Sequence, residues 1–137
     1  MSAVDLVIKG AQLPDGKTAD ICIQGESIID VTASYKGESV KTIDAKGCVV
    51  LPGLVDLHTH LREPGREDAE TVLSGSKAGA KGGFTALSAM ANTSPVADTA
   101  GVVEQVFRLG QEAGLCDVFP VGAVTQGLEG EKLSEMG

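Results

Sequence analysis

Two histidines stand two residues apart in the run Leu54-Val55-Asp56-Leu57-His58-Thr59-His60, and the 137-residue chain has no others. In a β-strand alternate residues share a face, so Asp56, His58 and His60 are expected on one side and Val55, Leu57 and Thr59 on the other. Same-face neighbours lie about 6.5–7 Å apart, near enough for two imidazoles to converge on one ion through metal–nitrogen bonds of about 2.0–2.1 Å. Asp56, one step deeper, reads equally as a group that orients a ligand or as a buried structural carboxylate. A catalytic zinc site takes three protein ligands and an open position. Two imidazoles are therefore a beginning, and the pair alone is a weak signal until its setting is known.

That setting changes rhythm near Pro52-Gly53. Before it, Leu6 to Ile8, Ile21 to Ile23, Ile28 to Val31, Val40 to Ile43 and Val49 to Leu51 read as short strands, separated by turn residues such as Pro14-Asp15-Gly16. After it, strand and helix patterns alternate. Leu54 to His60 is a strand, and residues 66–81 have helical spacing, with Ala69, Val72, Leu73, Ser76 and Ala80 on one stripe. Glu67, Asp68 and Glu70 fit the solvated first turns of that helix and carry no catalytic role. Phe84 to Met90 is the next strand. A helix capped by Asp98 runs to Ala113, with Val102, Val103, Val106 and Phe107 inward, and Val118 to Val121 is a third strand. These strands recur roughly every 31 residues, as in a (β/α)₈ barrel of ~250 residues, and an open doubly wound sheet would give the same local pattern. Lys132 to Gly137 reads as the first turn of another helix, so the chain is expected to be a fragment. His58 and His60 then fall at the C-terminal end of the first strand of the βα series, the end where barrel enzymes keep their active sites.

Composition narrows the class of function. Apolar residues make up 42% and charged residues 22%, the balance of a globular protein. A net charge of -8 and 3% aromatic content argue against nucleic-acid binding, because phosphates would be repelled and stacking platforms are scarce. No run approaches the ~18 apolar residues of a membrane span, and Met1 to Asp5 has no signal-peptide pattern. Cys22, Cys48 and Cys116 are scattered, as reduced cysteines packed as small apolar residues in a cytoplasmic protein would be.

The string from Pro52 to His60, followed by Leu61-Arg62-Glu63-Pro64-Gly65, resembles the metal-binding signature of dihydroorotases in the amidohydrolase superfamily. Gly82 to Thr85 and Met90-Ala91-Asn92-Thr93-Ser94-Pro95 resemble the family's second-strand segment, with Ala91 where proline is usual, and Val121 to Thr125 resembles the third. The resemblance implies an α/β fold: the start of a metal-dependent TIM-like (β/α)₈ barrel in residues 53–137, preceded by the N-terminal part of a small β-sandwich domain in residues 1–52. It implies His58 and His60 as ligands of one or two Zn²⁺ ions. It implies Arg62 and Asn92 as the residues holding a substrate carboxylate, which suits a bidentate guanidinium and a directional amide. By residue type alone, Arg62 would be a solvated surface charge and Asn92 a turn former.

The implied reaction is the reversible cyclisation of N-carbamoyl-L-aspartate to dihydroorotate in pyrimidine synthesis. No catalytic acid or base of the family matches a residue here, so the chain alone is expected to be inactive. The full-length protein is expected to be a cytoplasmic homo-oligomer acting on a small molecule, with aspartate transcarbamoylase as a candidate partner. The alternatives are another cyclic amidohydrolase (dihydropyrimidinase, hydantoinase or allantoinase) and a non-catalytic dihydroorotase-like subunit.

Overall fold

The computed structural model describes residues 3–135, which separate into two units between Pro52 and Gly53. In the first unit, β1 (Val4–Gln12) pairs antiparallel with β2 (Thr18–Gln24), and β2 with β3 (Ser27–Thr32). β4 (Ser39–Asp44) returns parallel to β1, giving the order β3-β2-β1-β4. The β1–β2 turn closes because Leu13 N donates to Lys17 O and Asp15 accepts from Lys17 N, a local side-chain turn that aspartate favours. Val4, Val7 and Cys22 are buried, with Tyr35 packed against them. Asp20 is only 7% exposed and accepts from the backbone N–H of Gly10 and of Tyr35, both at 2.9 Å. These two donors hold its carboxyl below the usual carboxylate range.

The strand expected over Val49–Leu51 does not form. Val49 makes an isolated bridge to Gln12, and Pro52 ends the segment without an N–H to donate.

In the second unit, β5 (Leu54–Thr59), β6 (Phe84–Ala89) and β7 (Asp117–Pro120) lie parallel in chain order, joined by α1 (Val72–Lys81) and α2 (Ala100–Ala113). Leu61, Val72, Leu87, Ala89, Val106 and Val118 form the main core between helices and sheet. A smaller core of Ala91, Ala97 and Ala123 lies under the loops.

Helix α1 starts at Val72 rather than at residue 66. Thr71 caps it, with Ser74 completing a reciprocal capping box, and Glu63 accepts from Val72 N at 2.7 Å. Residues 66–70 form a turn ahead of it, so Glu67, Asp68 and Glu70 are not helical, and Leu73 of the expected stripe is exposed.

Helix α2 is preceded by Thr99 in the cap position, because Asp98 turns away to accept from Gly127 N at 2.8 Å. Val106 and Gly110 face the sheet, and a methyl on Gly110 would stand 2.5 Å from Val118 Cβ. Close approach on that line leaves Phe107 exposed, against expectation. Gly114 ends the helix in the left-handed conformation, φ +60°.

No helix forms at Lys132. Leu133 bridges to Thr125 and the buried Ser134 hydroxyl donates to Ala123 O, while residues 136 and 137 of the expected turn lie outside the described residues. Among the described residues no helix is long and apolar enough to cross a membrane.

Candidate metal centre at the strand ends

The C-terminal ends of β5 and β6 carry the histidines and Asn92. Thr59 ties the two ends together: its hydroxyl donates to Ser88 O and its carbonyl accepts from Met90 N, both at 2.9 Å. Between Asp56 and Thr59 the pairing slips. Asp56 lies beside Leu87 and Thr59 beside Ala89, so β5 holds one residue more than β6 across this stretch. Such a bulge re-aims side chains.

The two imidazoles converge. His58 Nε2 and His60 Nε2 are 3.2 Å apart, with ring centroids at 5.1 Å and planes at 66°. Two nitrogens bonded tetrahedrally to one ion at about 2.0–2.1 Å would be about 3.3 Å apart, so the pair fits two corners of a zinc site. Both rings are exposed, and His60 Nδ1 lies 2.8 Å from Asn92 Oδ1. Among the described residues no third histidine, cysteine or carboxylate joins them.

The bulge corrects the expected common face for Asp56, His58 and His60. Asp56 is in register with Leu87, which is buried beneath the helices, and its Oδ1 accepts from His58 N at 3.0 Å. The carboxylate therefore braces the backbone at His58, and among the described residues it hydrogen-bonds to neither imidazole ring. Arg62 is exposed, makes no ion pair among the described residues, and has a left-handed backbone at φ +62°. That conformation costs a non-glycine residue roughly 1–2 kcal/mol, and its carbonyl accepts from Arg66 N at 2.8 Å in the turn that follows.

The loops bearing Arg62 and Asn92 are interlocked. Ser94 N donates to Pro64 O at 2.9 Å, and Gly65, at φ +103°, lies so close to Ser94 that a side chain there would strike its backbone carbonyl. Asn92 follows the buried Ala91, whose carbonyl accepts from Ala97 N, and Thr93 bonds to Pro95 O at 2.7 Å. Glu67 and Asp68 are exposed. The Gly65 N–H and the Arg66 guanidinium respectively hold their carboxyls below the ordinary range, which suits neither to act as a general acid near neutrality. Two contacts escaped the sequence reading: the Glu63 bond to helix α1 and the Asn92 bond to His60. Each depends on chain folding over nine or more residues.

Residues 47–137 match the model of the family described as Dihydro-orotase-like. The chain is 60% identical over 131 residues to the dihydroorotase of Streptomyces coelicolor, covering 96% of this chain and 31% of the relative. It is 57% identical over 137 residues to the dihydroorotase of Leifsonia xyli, covering 100% and 31%. The chain thus spans about a third of the length of these curated relatives. Among solved structures, the L-hydantoinase (dihydropyrimidinase) from Arthrobacter aurescens superposes with a TM-score of 0.75 at 26% identity, over 89% of this chain and 28% of that one. The three parallel strands are the opening of an amidohydrolase barrel, which they do not close.

Proposed function

This chain belongs to the dihydro-orotase-like family, and from that premise we propose that its full-length protein is a zinc-dependent dihydroorotase. The reaction is the reversible closure of N-carbamoyl-L-aspartate to dihydroorotate with loss of water. The observation that carries this reading is the 3.2 Å approach of His58 Nε2 to His60 Nε2, on a chain 60% identical to a dihydroorotase. His58 and His60 hold the ion, and when bound it supplies Lewis acidity toward an amide carbonyl and toward water. Arg62, which makes no ion pair among the described residues, offers a planar fork to the substrate carboxylate. Asn92 keeps its amide Nδ2 for the same carboxylate, since its Oδ1 faces His60. Holding the carboxylate at the rim would orient the scissile amide and limit its rotation. The remaining metal ligands and the acid–base group belong, in this proposal, to strands beyond those described. The proposal includes a cytoplasmic homo-oligomer and aspartate transcarbamoylase as a partner.

A second reading has support in the hydantoinase superposition: turnover of an uncharged cyclic amide. Assay of the full-length enzyme with dihydroorotate and with hydantoin decides between them. Dihydroorotate turnover that falls at least tenfold in kcat/KM in Arg62→Ala supports the first reading. Hydantoin turnover without dihydroorotate turnover overturns it. Absence of stoichiometric zinc in the active wild type would remove the metal from the proposal.

A further inference from the structure

We infer that Asn92 is a positioning residue: its Oδ1 fixes His60 as the tautomer protonated at Nδ1, leaving the Nε2 lone pair free for an ion. The inference rests on the metal reading above and assigns Asn92 a task apart from holding substrate.

A neutral imidazole carries one proton, on one nitrogen or the other, and the partner of that nitrogen chooses which. For His60 the Nδ1 partner is a carbonyl-type oxygen at 2.8 Å, which can only accept. Nδ1 therefore donates and Nε2 is bare. Across the 3.2 Å contact the His60 Nε2 can then only accept, and it does so when His58 Nε2 is the protonated nitrogen. In the metal-free protein His60 is thus preset for coordination by its contact with Asn92. The imidazole of a metal ligand is commonly held in this way by an oxygen acceptor on its other nitrogen.

The loop geometry lets the side chain be tested separately from the fold. Asn92 is exposed, and its loop is anchored by the buried Ala91 and Ala97, the Ala97 N to Ala91 O bond, and the Ser94 N to Pro64 O bond. None of these uses the Asn92 amide. Asn92→Ala therefore removes the acceptor and leaves the loop, and Asn92→Asp restores an acceptor at the same reach.

The experiment takes the purified chain, metal-free, at a pH where both histidines are neutral, and reads their tautomers by ¹⁵N NMR. Zn²⁺ alone is then titrated against a competing chelator. The expected spectrum shows His60 protonated at Nδ1, losing that preference in Asn92→Ala and keeping it in Asn92→Asp. The expected Zn²⁺ affinity falls about 10–100-fold in Asn92→Ala and recovers in Asn92→Asp, with unchanged thermal melting of the metal-free variants. A His60 tautomer indifferent to Asn92→Ala overturns the inference, as does a Zn²⁺ affinity that Asn92→Ala leaves intact. If wild type binds no Zn²⁺ in either the chain or the full-length enzyme, the metal reading fails instead, and the tautomer measurement still judges Asn92.

Discussion

The two faces of the β5–β7 sheet are both apolar and have opposite surroundings. Under the helices, Leu87, Ala89 and Val118 are 3–4% exposed. Elsewhere on the same strands, Val55, Leu57 and Phe119 are 57%, 74% and 52% exposed, with nothing among the described residues to cover them. A sheet made to meet water on one side would alternate apolar with polar residues, whereas parallel strands buried on both sides are apolar throughout. The contrast separates burial that the chain supplies for itself from burial that its composition requires. It agrees with a match to only about a third of each curated relative's length.

Substitutions on the two sides should therefore behave differently; three of them test the contrast, and a fourth extends it to the first unit. Val106→Asp places a charge in the helix–sheet core at a site 2% exposed; a loss of about 4 kcal/mol, read as collapse of the cooperative melt of the second unit, is expected. If the melt survived, the covered face would not be a core.

Asp20→Ala applies the same test to a buried polar group in the first unit. It removes the acceptor for Gly10 and Tyr35 N–H and should cost about 2 kcal/mol in chemical denaturation at pH 7. Because these donors lower the Asp20 pKa, its stabilisation is full above the unfolded value of about 4. It is lost as pH falls through the lower folded value. The variant should accordingly show a flatter acid limb, and an unaltered limb would exclude Asp20 as its source.

Gly110→Ala crowds Val118 while improving helix propensity. Overpacking of ~1–3 kcal/mol against a gain of ~1 leaves about 1 kcal/mol net destabilisation. A rise in melting temperature would show that α2 can back away from β7. Smallest of all, Leu57→Asp on the open side should shift stability of this chain by no more than about 0.5 kcal/mol. A large loss there would mean that Leu57 is covered in solution.

Much of the second unit was legible from periodicity. The strands at Leu54, Phe84 and Val118 and the helix ending before Gly114 lie within about a residue of where alternation and turn residues put them. The start of α1 was not, because Thr71 and Ser74 cap as strongly as residues near Arg66 while the charged run Glu67–Glu70 imitates a first turn. Val49–Leu51 has the composition of a strand and, among the described residues, pairs with nothing beyond Gln12. At the candidate site, the His-x-His spacing foretold rings that meet, and the structure brings them together. It could not foretell that Asp56 would drop out of line, since a bulge is defined by the neighbouring strand and leaves no mark on the residues it displaces. The His60–Asn92 contact spans 32 residues and follows from the pairing of β5 with β6.

Because Ser94 is latched to Pro64 and seated on Gly65, the turns after the first two strands of the second unit behave as one mechanical part. Lengthening either turn by a residue would drag Arg62 and Asn92 out of alignment together. Change at this rim is therefore channelled into side-chain exchange, and insertions are left to loops that are not latched.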